Sequence, residues 1–176
     1  LPPTKNCLFE QSEIKSMKNK AVPILLTFFL LVSSVLAVDI NATAVGGQHS
    51  LFLKADGSLW VVGKNEAGQL GDGFTTDQTS AIRVVDSNVT AVAAGNSHSL
   101  YLKSNGSLWA MGLNSFGQLG DSSESNRSNP VQIEASGVNA IAAGYDHSLY
   151  IKSDGSLWGM GKNQYGQLGI GSTVGQ

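Results

Sequence analysis

Three histidines pose the first chemical question in this 176-residue sequence. His49, His98 and His147 recur at intervals of 49 residues, each followed by Ser-Leu. Imidazoles brought together from three such copies could hold a metal ion, but no cysteine or carboxylate stands at ligand spacing beside any of them. A residue set that returns in every copy solves one packing problem three times. Each imidazole is therefore expected to be partly buried and hydrogen-bonded to backbone. Trp60, Trp109 and Trp158 keep the same interval and are read as core between neighbouring units rather than as ligand-stacking rings. No Ser-His-Asp set and no paired carboxylates emerge. No lysine follows the glycines as a phosphate loop requires, and the spaced Asp/Asn ladder of a calcium loop is missing. No catalytic residue, metal or cofactor is assigned, and the segment is expected not to be an enzyme.

The elements that must position these residues are written three times. Stretches beginning at Ile40, Val89 and Val138 align without a gap, and 17 of their 32 positions are identical in all copies. A period near 50 residues is that of a four-stranded propeller blade. Within each copy His-Ser-Leu-x-Leu/Ile-Lys alternates, placing His49, Leu51 and Leu53 on one strand face and Ser50, Phe52 and Lys54 on the other. Asp56-Gly57, Asn105-Gly106 and Asp154-Gly155 then predict a tight hairpin of type I′. The return strand Ser-Leu-Trp follows, with Lys54, Lys103 and Lys152 expected in solvent at the hairpin ends. Thr90 to Gly95 reads as a small-residue inner strand, and Val131 to Ile133, after Pro130, as an outer one. Gly68, Gly117 and Gly166 open Gly-Gln-Leu-Gly turns whose leucines are expected to plug between blades. The fold expected is all-β: an incomplete β-propeller of three tandem four-stranded blades of about 49 residues.

Composition agrees. Twenty-one glycines and 14% charged residues suit turn-rich β structure and exclude a coiled coil or a charged disordered chain. One cysteine excludes a disulfide-stapled scaffold. Residues Met17 to Ala37 combine Lys18 and Lys20, an apolar run from Ile24 to Val32 and a Val35-Leu36-Ala37 ending, the three parts of a secretory leader cleaved after Ala37. Residues 1–16 precede the first methionine and are read as untranslated or artefactual. From Val38 onward there is no cysteine, and seven basic residues face eleven acidic ones. This balance suits an extracytoplasmic setting, secreted or at the cell surface. It argues against nucleic acid, or a membrane after leader cleavage, as partner. Domain limits are placed at 38–88, 89–137 and 138–176 for the three repeats.

The pattern Gly-x-x-His-Ser-Leu, then Asp/Asn-Gly, then Gly-x-Asn-x-x-Gly-Gln-Leu-Gly, resembles the regulator of chromosome condensation repeat, of the alpha-tubulin-suppressor-like kind, in an exported variant. The resemblance implies a β-propeller, commonly of seven blades. The sequence departs from it at Val62, Met111 and Met160, where family repeats carry the tryptophan, which here stands two residues earlier. Three copies cannot close a ring, so the chain reads as the front of a longer protein. The family's nucleotide-exchange role is not carried over, since no residues match it.

Where the copies agree they build the blade; where they differ they are free to meet a partner. The differences fall before each histidine, at Tyr145 and Asp146 among others, and inside the Gly-x-Asn-x-x-Gly loop, at Glu66, Phe116, Gln164 and Tyr165. These six residues are the candidate partner-binding set, expected to form arcs on one face. The bland alternative has Phe116 and Tyr165 covering the apolar base of their own loops. The function expected is binding of a protein or cell-surface macromolecule. Two rivals are a secreted inhibitor of the β-lactamase-inhibitor type and the non-catalytic part of a larger secreted enzyme. Asn41, Asn88, Asn105 and Asn126 stand in Asn-x-Ser/Thr sequons.

Overall fold

A computed structural model describes residues 39–176; the upstream segment 1–16 and the leader 17–37 lie outside the described residues. Every element described is a β-strand. The first sheet contains β1 (Ile40–Val45), β2 (His49–Lys54), β3 (Leu59–Gly63) and β4 (Gln78–Val85), antiparallel in that order. The second repeats the plan with β5 (Val89–Ala94), β6 (His98–Lys103), β7 (Leu108–Gly112) and β8 (Arg127–Glu134). The third has β9 (Val138–Ala143), β10 (His147–Lys152) and β11 (Leu157–Gly161). Gln176 pairs with Gly161 through both of its backbone groups, taking the place that Gln78 and Arg127 hold at the start of β4 and β8.

Sequence dictates which faces meet. The period-2 alternation of β2 buries His49, Leu51 and Leu53, and β3 adds Leu59 and Val61 to the same face. That face packs on Tyr101 and Met111 of the second sheet, with Leu70 inserted between the two. The second junction copies the first: Leu100, Leu102, Leu108, Ala110 and Leu119 pack on Tyr150 and Met160. Each fully buried leucine contributes roughly 2 kcal/mol. Inner strands β1, β5 and β9 lie beside one another, and their alanines (Ala42 and Ala44, then Ala91 and Ala93) let the sheets converge there. Pro130 falls within β8, on the outer edge of its sheet, where a missing donor costs no ladder hydrogen bond.

The β2–β3 hairpin occurs where Asp-Gly predicts it, but its type differs. Gly57 N–H donates to Lys54 O at 2.9 Å, Lys54 N–H donates to Ser58 O at 3.0 Å, and only Gly57 has positive φ, +79°. This is a type I turn closed by a left-handed glycine bulge, not type I′. The reason lies one residue on. Asp56 Oδ1 accepts from the Ser58 backbone N–H and hydroxyl at 2.9 and 2.6 Å, a side-chain bridge that holds Asp56 in the turn without positive φ. Asn105 and Asp154 make the same pair of bonds with Ser107 and Ser156.

Candidate functional site

The histidines are joints between blades. His49 Nε2 lies 2.8 Å from Ser99 Oγ of the next sheet, and Ser99 donates its only hydroxyl proton to Gln69 O at 2.8 Å. The serine must therefore accept from His49 Nε2–H, which fixes that tautomer. His98 repeats the relay through Ser148 to Gln118 O at 2.9 and 2.7 Å. The imidazole partner is thus a serine hydroxyl one blade away, which passes the bond to backbone, rather than backbone itself. Nδ1 of both rings is left without a partner, and each ring lies against Gly46 or Gly95, where a Cβ would stand 2.2 or 2.1 Å from it. Burial brings both histidines down to about 4, so both are neutral near pH 7; at His98 the neighbouring His49 and His147 add a smaller lowering. His147 is half-buried. Among the described residues no three His, Cys, Asp or Glu side chains come together as a metal-ligand group.

The tryptophans take the rim of the inter-blade contact, not its middle. Trp109 is half-buried beside Tyr101, ring centroids 6.1 Å apart and nearly parallel, while Trp158 is 49% exposed. Leucine and valine, Leu51, Leu53, Leu59 and Val61 in the first sheet, are buried on the other face of the same strands. The lysines expected in solvent lie over these rings: Nζ of Lys54, Lys103 and Lys152 is 4.0, 4.9 and 4.5 Å from the Trp60, Trp109 and Trp158 centroids. Lys152 also pairs with Glu134 at 2.7 Å. That pairing and the Tyr150 hydroxyl hold the Glu134 carboxyl below its usual range against partial burial.

At the opposite end of each sheet, two loops are tied together. Lys64 N–H donates to Gln48 O, Leu113 N–H to Ser97 O and Lys162 N–H to Asp146 O, at 2.8 to 2.9 Å. Neighbouring blades are stitched in turn by Gly47 N–H to Asn96 O and Asn96 N–H to Tyr145 O. The two expected arcs are therefore one continuous band. Its rigidity comes from an Asn and a Gln side chain per blade, all buried except the half-buried Gln167. Asn114 accepts from Leu119 N–H and donates to Asp121 Oδ1 and Ser123 O, all at 2.9 Å. Gln118 Oε1 accepts from Phe116 N–H at 3.0 Å. Asn65 with Gln69, and Asn163 with Gln167, repeat both devices. Gly68, Gly117 and Gly166, with φ of +82°, +72° and +75°, close the turns.

On this fixed backbone Tyr165 is 84% exposed, Tyr145 69% and Phe116 44%. Leu119 and Leu168 of the same loops are buried. Phe116 leans on the next blade, with Lys162 Nζ 4.7 Å from its centroid. Glu66 and Gln164 are exposed, Glu66 paired with Lys64 at 3.0 Å. Asp146 departs from the candidate set: it is buried, its carboxylate 3.4 Å from Lys162 Nζ, so it braces Lys162 instead of meeting a partner. Phe74, 68% exposed on the loop that Asn65 holds, belongs to this end although it lies outside the aligned repeat positions. A groove of 1410 Å³ is lined by Phe116, Ile133, Tyr150, Trp158 and Gln176 among others.

The profile of the regulator of chromosome condensation (RCC1) repeat matches residues 40–69, 89–118 and 138–167, and a second profile of the same description matches 56–102 and 105–151. Among solved structures, human WBSCR16 is 29% identical with a TM-score of 0.67, the match covering 76% of this chain and 37% of that one. Prp20p from Saccharomyces cerevisiae is 23% identical, TM-score 0.67, covering 77% and 36%. Yeast RCC1 (Prp20) bound to Kap60 is 24% identical, TM-score 0.66, covering 78% and 35%. The chain thus spans a little over a third of these structures, and the likeness to the yeast protein bears on fold alone. No curated protein matches the chain.

Proposed function

Because the chain belongs to the regulator of chromosome condensation (RCC1) repeat family, we propose that it is a non-catalytic binding module, exported by residues 17–37, that docks a protein through the loop end of its blades. The observation that carries the reading is the exposure of Phe116, Tyr145 and Tyr165 on hydrogen-bonded backbone, the N–H of Phe116 and Tyr165 held by Gln118 and Gln167 and the carbonyl of Tyr145 by Asn96 N–H. Aromatic rings whose backbone is already ordered lose little entropy on docking, and such rings dominate protein interfaces. Around them stand serine, asparagine and glutamine, and the lysines of this end are paired with Glu66 and Asp146. That is a surface for a neutral or mixed protein face, not for a polyanion. The yeast relative, whose structures concern binding to Gsp1p, histones and Kap60, is in keeping with a protein partner.

The test is photo-crosslinking from single positions of the full chain in its native extracellular fraction. Positions 74, 116 and 165 are expected to capture one common partner, and positions 56 and 154 at the hairpin end none. Phe116→Ala and Tyr165→Ala are each expected to weaken binding to that partner by about 2 kcal/mol with an unchanged melting point. Crosslinks spread evenly over both ends, or alanine variants that melt earlier yet bind as before, would return these rings to the scaffold.

A further inference from the structure

The four sequons are not scattered over the fold. Asn41 follows Ile40, which pairs with Lys54 at the hairpin end of the first sheet. Asn88 precedes Val89, whose N–H donates to Gly57 O in the first hairpin, and Asn88 O accepts from Ser104 N–H in the second. Asn105 is in that second hairpin turn itself. All three asparagines are exposed, and so is Asn126. Asn126 alone lies at the loop end, one residue before the Arg127 that pairs with Gly112. Six-residue strands separate the two ends by about 17 Å.

The asparagines also differ in what their amides do. Asn105 uses only its oxygen, which accepts from Ser107 N–H and hydroxyl at 3.1 and 2.7 Å, leaving the amide nitrogen outward. Asn88 has φ of +67°, a left-handed position at a loop tip, and its nitrogen meets only the adjacent Ser87 hydroxyl at 3.1 Å. Asn126, exposed as well, also uses only its oxygen, but ties it across the loop: it accepts from Asn114 N–H, twelve residues back, at 2.9 Å, as Asp77 does from Asn65 N–H at 2.8 Å in the first sheet. Its residue type is thereby explained by the scaffold.

We propose that Asn41, Asn88 and Asn105 are acceptors of N-linked glycans and that Asn126 is not, so that sugar covers the hairpin end and the aromatic loop end stays bare. The inference rests on the export reading, since the transferring enzyme meets only translocated chains. Glycans are bulky and strongly hydrated. Placed about 17 Å from the aromatic rings, they shield the edges near Trp60 and Trp109 without obstructing a partner at Phe116 or Tyr165.

The experiment expresses the full chain in a eukaryotic secretory cell twice, once behind its own residues 17–37 and once behind an unrelated leader. Enzymatic deglycosylation in heavy-oxygen water then marks each occupied asparagine for mass spectrometry. Label at Asn41, Asn88 and Asn105 and none at Asn126 is expected behind either leader. Asn41→Thr, Asn88→Gly and Asn105→Asp each introduce a residue that another copy carries at that position, so the fold is kept; each is expected to remove one step of mobility on a gel. Glycan on the chain with the unrelated leader, but a cytoplasmic and unmodified chain behind residues 17–37, refutes export and leaves the acceptor assignment standing. A chain secreted without sugar, or with Asn126 as the main occupied site, overturns the proposal.

Discussion

Acid should loosen this protein at a pH where its carboxylates are still charged. His49 and His98 are held neutral by burial, with values near 4 against an ordinary 6.5. A basic group lowered on folding contributes stability that is fully present above its unfolded value and is lost as pH falls toward its folded one. Between about pH 7.5 and 5 each histidine gives up about 2 kcal/mol, about 4 kcal/mol for the two together. Structure gives the same sign independently. A second proton must go to Nδ1, which is buried without a hydrogen-bond partner and lies against glycine. Asp56, Asp121 and Asp154, all held below their usual 3.8, remain ionised through this window, so the loss belongs to the histidines. Urea unfolding followed by tryptophan emission at about pH 7.5, 6 and 5 reads it directly, because Trp109 sits at the rim of the same junction. His49→Gln combined with His98→Gln keeps a donor toward each serine and is expected to abolish most of the slope. A native protein whose stability changes by less than about 1 kcal/mol over this range, or a double variant with an undiminished slope, would refute the reasoning.

Two further outcomes concern the scaffold. Trp109→Ala is expected to cost about 2–3 kcal/mol and Trp158→Ala about 1 kcal/mol by urea unfolding, because the first ring is half-buried against a packed junction and the second is half in solvent; equal costs would contradict the rim assignment. Gly155→Ala adds a methyl at φ +85° with nothing within 4 Å, so only backbone strain of about 1–2 kcal/mol is expected. Gly112→Ala, at φ +107°, puts its Cβ 2.5 Å from Ser97 O. It is expected to cost about 3 kcal/mol or more, read as melting temperatures in parallel.

Strand faces were legible because side-chain alternation is a local property: His49, Leu51 and Leu53 can only point together. The hairpin position was legible from Asp-Gly, but the turn type was not, since Ser58 decides it through two bonds to Asp56. What a histidine binds was beyond local reading, because Ser99 is 50 residues away on another sheet. The tryptophans show the same limit from another side. Alternation assigns an indole its face but not its distance from the centre of that face. At the loop end, the divergent positions Phe116 and Tyr165 are exposed. Asp146, equally divergent, is buried, because Lys162, 16 residues on, lies 3.4 Å from its carboxylate. Phe74 escaped notice because the 32 aligned positions end before it, at Gly71, although the Asn65 that holds its loop is identical in all three copies.

The histidine relay gives every sheet a direction. One face presents an imidazole N–H, the other a hydroxyl that has already spent its proton on a carbonyl. Two like faces therefore cannot be joined: imidazole against imidazole has no acceptor positioned between the rings, and serine against serine has no free donor. A two-fold axis between sheets of this kind is forbidden by hydrogen-bond parity, and only a head-to-tail operator repeats the contact. The symmetry available to any array of these units is consequently cyclic or helical, and its polarity is set before a second unit is added.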